Sequence, residues 1–185
     1  RGVTLLGGSA LLPSAAAGYL SLHQALSALD RLEVRGRDSA DIELVVTGHG
    51  LDLGDPAVRA QLDARGGGLF VSGEVRVAGD ALVFVYKAAA EIGELGDNTA
   101  MLRAGIAADE LLATALRHPE AEALVLGHTR WASIGIISQP NAHPQVSDEP
   151  SRPDAPLVTA VLNGDVDNFA DLIAAESLEV SAQIT

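Results

Sequence analysis

Leu22, Ala25, Leu26 and Leu29 recur at i, i+3, i+4 and i+7, one face of a 3.6-residue helix. They predict an amphipathic helix from about Ala15 to Leu32, entered after Pro13-Ser14. The Arg35-Gly36 turn then feeds a strand from Ile42 to Val46. Asp55-Pro56 reads as a helix start, with a capping carboxylate and proline in the first turn, and Gly66-Gly67-Gly68 breaks the chain after that helix. Two β-rich runs come next, Leu69 to Val77 and Ala81 to Tyr86, with Ala78-Gly79-Asp80 as the hairpin turn. Leu102, Ile106, Leu112 and Leu116 form a second helical stripe, read as one helix from Thr99 to Leu116 that ends at His118-Pro119. Strands are expected at Ala123 to Gly127 and Leu157 to Leu162, and a last helix from about Asn168 to Ala175. Between those strands Pro140, Pro144, Pro150, Pro153 and Pro156 mark a long irregular loop. There is no internal repeat. Helices interleaved with strands make a layered α/β or α+β fold, and periodicity goes no further.

Composition narrows the class. At 185 residues and 48% hydrophobic, the chain has the size and apolar content of one compact domain. Aromatics are only 3%, so the core is expected from Ala, Val, Leu and Ile, which suits strands packed on Ala-rich helices. A net charge of −13 argues against nucleic acid or an anionic membrane as partner. Lys87 is the only lysine. No apolar run reaches the roughly 18 residues that a membrane span requires. Leu5 to Tyr19 is broken by Gly, Ser and Pro and has no charged segment like that of a signal peptide before it, so a cytoplasmic protein is the default expectation. With no cysteine, disulfides and thiolate metal sites are excluded. The opening at Arg1 without Met and the strand-like Ile184-Thr185 end read as a piece of a longer protein.

Candidate chemistry clusters late in the chain. Arg130 follows an apolar strand at the point where polar residues replace it, a rigid mount for a guanidinium that grips a carboxylate in two-pronged fashion. The plain alternative is a structural salt bridge. Trp131, the sole tryptophan, either walls a pocket or fills core, and Ser133 offers a hydroxyl. Asn163-Gly164 is either a simple turn or an oxyanion hole, in which an Asn amide and a Gly N–H point at the oxygen that turns negative during attack on an amide. Arg35 and Asp38, in Arg35-Gly36-Arg37-Asp38-Ser39-Ala40, either organise a site or hold a helix-to-strand corner. His128 and His143, with Asp148 or Asp165, invite a metal reading, but their spacing fits no compact metal motif. Asp148, Glu149 and Asp154 read as a solvated loop.

Taken in order, Arg35-Gly36-x-Asp38-Ser39-Ala40, His128-Thr129-Arg130-Trp131-Ala132-Ser133, Asn141-Ala142-His143-Pro144 and Leu162-Asn163-Gly164-Asp165-Val166-Asp167-Asn168 resemble the glutaminase domain of class II (N-terminal-nucleophile) glutamine amidotransferases. The closest likeness is to the glucosamine-6-phosphate synthase branch, covering Ala25 to Asp41 and Leu124 to Ala175, with a weaker match from Val85 to Asn98. The resemblance implies a four-layer αββα sandwich of the Ntn hydrolase type, classed as α+β. Residues 43–83 would be a β-rich insertion within a single, incomplete glutaminase domain spanning 1–185. It implies L-glutamine as substrate, hydrolysed to glutamate and ammonia. Arg130, Trp131 and Ser133 would bind the substrate, Asn163 and Gly164 would form the oxyanion hole, and Arg35 would lie near the nucleophile. The Asn141 to Pro144 segment would be a structural loop beneath the pocket. No cofactor or metal is implied. Ammonia would pass to a sugar-phosphate isomerase (SIS) domain of the same polypeptide, C-terminal to Thr185, for amino-sugar phosphate synthesis, and a homo-oligomer is expected.

The sequence departs from the family pattern in four places. Asp41 stands where the family has Gly, and Ile134 where it often has His. The Thr-Asp loop that meets the glutamine α-amino group has no counterpart here. The nucleophilic cysteine, whose α-amino group serves as base, is absent too: Arg1-Gly2-Val3 only echoes Cys-Gly-Ile. Three explanations stand: the nucleophile lies upstream, with Arg1 to Gly18 bordering an insertion; it was substituted; or the domain binds glutamine without hydrolysing it. A module whose motifs serve folding alone is a weaker fourth reading.

Overall fold

Alternation along strand β1, Ser39–Thr47, defines the two faces of the sheet. Ala40, Ile42, Leu44 and Val46 are fully buried on one face, and Ser39, Asp41 and Glu43 are buried on the other. The strand therefore starts three residues before its apolar run, because polar side chains are buried beside apolar ones. The computed structural model describes residues 1–66, 68–89, 94–132, 135–147 and 156–178.

β1 lies at the centre of an antiparallel sheet in the order β2-β3-β1-β4, with β2 at Val75–Ala78, β3 at Ala81–Ala89 and β4 at Glu122–Arg130. Leu69 to Glu74, expected as strand, is outside β2, although Phe70 is buried. The β2–β3 hairpin turns at Gly79-Asp80, as its turn residues predict, with Gly79 at φ 64°. β1 pairs along its length with β3 (Asp41 opposite Lys87) and with β4 (Asp41 opposite His128, Ser39 opposite Arg130). The stretch 43–83, expected as an insertion, thus begins and ends within the two central strands.

Helices α1 (Gly2–Gly7), α2 (Pro13–Leu32), α4 (Asp97–Ala107) and α5 (Glu110–Ala115) contribute to the core on the apolar face. α2 lays Tyr19, Leu22, Leu26 and Leu29 into that core. Each fully buried leucine contributes about 1.5–3 kcal/mol. The expected single helix from Thr99 to Leu116 is two helices. Asp109 is extended between them, and its carboxylate caps α5 by accepting from Leu112 N at 3.0 Å. The stripe survives the break, since Leu102, Ile106, Leu112 and Leu116 are all buried. α3, Pro56–Asp63, begins as its Asp55-Pro56 signal predicts, with Asp55 Oδ1 accepting from Ala57 N and Val58 N.

The opposite face of the sheet carries a two-stranded antiparallel ladder, β5 (Gln145–Val146) with β6 (Thr159–Ala160). Phe70, Val83 and Val85 pack there against Val45, Val146 and Leu157. Thr159 donates to Glu43 Oε1 at 2.7 Å, tying the ladder to β1. The predicted strand Leu157 to Leu162 is reduced to two residues. α6, Phe169–Glu176, starts one residue after the expected Asn168 and buries none of its side chains. Among the described residues no helix is long and apolar enough to cross a membrane.

Candidate functional site

Four motif segments meet at the C-terminal end of β4. Glu33–Arg35 forms a 3-10 turn after α2, and Gly36 lets that turn lie directly on β4. A Cβ on Gly36 would stand 2.8 Å from Thr129 Oγ1 and 2.9 Å from the Thr129 carbonyl carbon. Asp38 then continues the β1–β4 ladder past its last pair. Its N–H donates to Arg130 O at 3.1 Å, and its Oδ2 accepts from Ala132 N at 2.6 Å. The corner is held from the other side by the start of α4, where Gly96 N donates to Glu33 Oε2 at 2.7 Å and Asn98 Nδ2 donates to Arg37 O at 2.9 Å. Asp38 thus serves as a backbone latch, a role its place in the motif does not reveal.

The cavity beside this corner has a volume of about 320 Å³ and is lined by Arg35, His128, Thr129, Arg130, Trp131, Asn141, His143, Leu162, Asn163, Gly164 and Asp165. It lies within the ~300–1,000 Å³ range of small-molecule sites. The structure therefore brings together five of the six sequence-predicted site residues, Arg35, Arg130, Trp131, Asn163 and Gly164. The sixth, Ser133, lies outside the described residues, as do Ile134 and the acidic Asp148, Glu149 and Asp154. Trp131 is 73% exposed, so it walls the cavity and does not fill the core. Arg130 Nη1 and Asn141 Nδ2 both donate to Ile136 O, at 3.3 and 3.0 Å, which closes the chain into a loop around the guanidinium. Asp165, weighed from sequence only as a metal ligand, supplies a carboxylate to the same lining. Among the described residues no group of three or more His, Asp or Glu side chains is arranged to hold a metal ion.

Buried polar groups support the floor. Lys87, 2% exposed, donates to Ala142 O at 2.8 Å and to Pro144 O at 2.9 Å, the carbonyls on either side of His143. Burial lowers its pKa to about 8, against the pull of Asp41 and Glu43. Asp41, fully buried, accepts from Ser39 Oγ at 3.0 Å. Its pKa is pushed well above the usual carboxylate range, chiefly by burial, against the lowering effects of Ser39, Lys87 and Arg130. Asp41, where the sequence resemblance expects Gly, thus belongs to the polar layer under the cavity. His128 and His143 stand edge to face, with centroids 4.4 Å apart. Burial lowers both pKa values, that of His143 to about 4, so both rings are neutral near pH 7. Sequence reasoning placed neither at the site's centre. A signal was present, since His128 and Arg130 are two apart on one strand and share a face.

A second, larger depression of about 490 Å³ lies over β3, α4 and α5, around Arg65, Tyr86 and Asp109. Its cation is committed: Arg65 holds both oxygens of Asp109, at 2.9 and 2.6 Å. The smaller cavity is the one in which the motifs converge.

No protein-family model matches the chain, and no solved structure matches it. Short stretches are similar to curated enzymes. The chain is 45% identical over 47 residues to the glutamine–fructose-6-phosphate aminotransferase (isomerizing) of Mesorhizobium japonicum, covering 25% of this chain and 6% of that enzyme. It is 36% identical over 64 residues to the enzyme of the same name from Chlamydia caviae, covering 35% of this chain and 10% of that enzyme. The match to its Neisseria meningitidis serogroup A counterpart is 41% over 44 residues, covering 24% and 6%. The matches span a tenth or less of these relatives' length, and they support a partial relationship between this chain and the glutamine–fructose-6-phosphate aminotransferases.

Proposed function

We propose that this chain is the glutamine-hydrolysing part of a class II amidotransferase that passes ammonia to a sugar-phosphate isomerase domain of the same polypeptide for amino-sugar phosphate synthesis. The observation that carries the reading is the single cavity lined jointly by Arg35, Arg130, Trp131, Asn163 and Gly164, drawn from three separate motifs. In this reading Arg130 grips the α-carboxylate of L-glutamine, with Trp131 and Ser133 beside it. Asn163 Nδ2 and Gly164 N–H receive the oxygen that turns negative, a contact worth on the order of 10²–10³ in rate per donor. Arg35 lies near the attacking group.

The chain has no cysteine, so the thiol comes from a residue outside these 185. Its sulfur attacks the side-chain amide carbon, the C–N bond breaks, and the departing nitrogen takes a proton to leave as ammonia. Water then hydrolyses the thioester to glutamate. The sheet, with helices on its apolar face and a ladder on the other, accords with half of an αββα sandwich. A cytoplasmic homo-oligomer goes with the same reading.

The missing cysteine favours one alternative, a pseudo-glutaminase domain that binds glutamine without cleaving it. Ammonia release by the full-length protein, before and after a glutamine-analogue thiol alkylator, separates the two. A single adduct on an N-terminal Cys with loss of activity supports hydrolysis. Glutamine binding without ammonia release supports the alternative. Absence of both overturns the site itself. Trp131, the only tryptophan, gives a fluorescence readout of binding. Arg130→Lys should weaken glutamine about 10- to 100-fold, the loss of a two-pronged charged contact.

A further inference from the structure

A further cavity, of about 290 Å³, lies away from both depressions described above, between the linker that joins α1 to α2 and the C-terminal end of α5. Leu11, Leu12, Ala15 and Ala113 give it apolar walls, and the ring of Tyr19 closes one side. Gly7 lets α1 lie against that ring, since a Cβ there would stand 2.4 and 2.5 Å from two of its carbons. The short side chains of Ala15 and Ala113 leave open the space that a longer one would fill.

Two polar groups interrupt this lining. Tyr19 is 2% exposed, yet its hydroxyl has no hydrogen-bond partner among the described residues, whereas the Tyr86 hydroxyl donates to Asp109 at 2.8 Å. Buried polar groups are ordinarily paired, and the cavity is the place from which an acceptor can reach this one. Burial, with Asp109 adding to it, raises the Tyr19 pKa against the pull of Arg117, so the phenol keeps its proton at neutral pH and can donate. Arg117 is exposed and lines the same cavity. Among the described residues its guanidinium has no ion pair or hydrogen bond, while Arg65, Arg76 and Arg103 each hold a carboxylate.

We propose that this cavity binds a small monocarboxylate with a compact apolar body, whose carboxylate bridges the Arg117 guanidinium and the Tyr19 hydroxyl while the body lies against Leu11, Leu12, Ala15 and Ala113. A guanidinium holds a carboxylate through two parallel N–H bonds and a phenol adds an O–H, a donor set that an alcohol uses poorly and an amine not at all. The volume stands at the lower end of the ~300–1,000 Å³ range of small-molecule sites, which suits a body of a few carbons. The Asp109 carboxylate near Tyr19 is already engaged by both terminal nitrogens of Arg65. No residue is shared with the cavity around Arg130, Asn163 and Gly164, so the proposal is independent of the glutaminase reading.

Hexanoate tests it, titrated into this chain at constant ionic strength and followed by backbone amide chemical shifts, with hexanol, hexylamine and acetate as comparisons. Hexanoate should give saturable shifts confined to positions 7–19 and 113–117, with a Kd of about 0.1–1 mM, within reach of a ligand of so few atoms. Hexanol should bind about tenfold more weakly, having lost the two-pronged charged contact. Acetate, which lacks the body, and hexylamine, which has the wrong charge, should not saturate. Any of the three binding as well as hexanoate would overturn the assignment, as would the absence of saturable hexanoate shifts at millimolar concentrations.

Variants locate the contacts. Arg117→Met keeps the stem, removes the charge and should weaken hexanoate about tenfold. Tyr19→Phe removes one oxygen and should weaken it about three- to tenfold. Because that hydroxyl has no partner in the free protein, Tyr19→Phe should leave the urea midpoint unchanged or raise it, so the loss of binding is read in a folded chain. Ala113→Leu, at a half-buried position of α5, fills the cavity and should abolish the titration. A lowered urea midpoint in Tyr19→Phe would show the hydroxyl bonded within the protein, and unchanged hexanoate affinity in Arg117→Met or Ala113→Leu would place the ligand elsewhere; each overturns the proposal.

Discussion

Asp38 Oδ2 accepts a hydrogen bond from Ala132 N at 2.6 Å, so a carboxylate from the motif before β1 fixes the backbone just past Arg130 and Trp131. The contact spans 94 residues of sequence. It gives Asp38 a structural role that the cavity depends on. Removing it with Asp38→Ala strands a half-buried N–H and loses a charge-assisted bond, for a destabilisation of about 1.5–3 kcal/mol. Urea unfolding should show that loss, and Trp131 fluorescence should report weaker glutamine binding. Asp38→Asn keeps an acceptor oxygen and should recover most of both. Equal loss in Asn and Ala variants would mean that charge, and not the hydrogen bond, is what matters.

Gly36 offers a sharper steric test. A methyl group there meets backbone and side-chain atoms of Thr129 at under 3 Å, and Thr129 lies in the sheet and cannot retreat cheaply. Gly36→Ala should cost about 1–3 kcal/mol, the range for overpacking. Because Arg35 precedes it, the push displaces a cavity-lining residue as well. Gly79→Ala is the control: its side has open space and only its φ of 64° is strained. Thermal unfolding should show both losses, with glutamine affinity reduced only in Gly36→Ala.

Asp109 is the hub of the other polar cluster. It takes both guanidinium nitrogens of Arg65, the Tyr86 hydroxyl at 2.8 Å and Leu112 N at 3.0 Å. Burial alone would raise its pKa, but Arg65, Leu112 N and Tyr86 outweigh burial and the net shift is downward. A carboxylate depressed on folding contributes stability that is present above its unfolded pKa of about 3.9 and disappears as pH falls through the folded value. Asp109→Asn should therefore be less stable than wild type at pH 7 by about 3–5 kcal/mol, the cost of leaving a buried partner unpaired. The difference should shrink as pH falls below about 4. Urea midpoints across pH 3–7 measure it, and a constant difference would deny the charge its role.

Much of this architecture was legible because its helices repeat every 3.6 residues. Leu22, Leu26 and Leu29 are buried on α2 as their spacing predicts, and Asp55-Pro56 starts α3. The break at Asp109 was missed because the stripe from Leu102 to Leu116 stays in phase across it. The start of β1 was missed because Ser39, Asp41 and Glu43 are polar yet buried: the helices cover one face of the central strand and the β5–β6 ladder packs on the other. At the site, motif order picked out residues that meet in space. The layer beneath them was not visible, because Lys87, Asp41 and His128 lie on three strands and only their register places them side by side.

Lys87 draws the consequences of that layer together. Its burial lowers its pKa to about 8 from the ordinary 10.5, so between those values the unfolded chain binds more protons than the folded one. The sign is then fixed: the penalty for burying the ammonium is present below pH 8 and is relieved as pH rises above it, so this residue makes stability rise with pH. Tyr19 and Tyr86, whose pKa values burial raises, act in the opposite sense above about pH 10. The test is therefore the difference between wild type and Lys87→Met over pH 7–10. Met keeps the length and loses the donors, leaving the carbonyls of Ala142 and Pro144 without the ammonium. At pH 7 the variant should lose stability, because two hydrogen bonds from a charged donor outweigh the removed penalty, each worth about 1.5–3 kcal/mol. As pH rises from 8 to 10 wild type should gain stability from Lys87 that Lys87→Met cannot. A pH-independent difference would mean that the lysine titrates near its ordinary value and that Asp41 and Glu43 offset its burial.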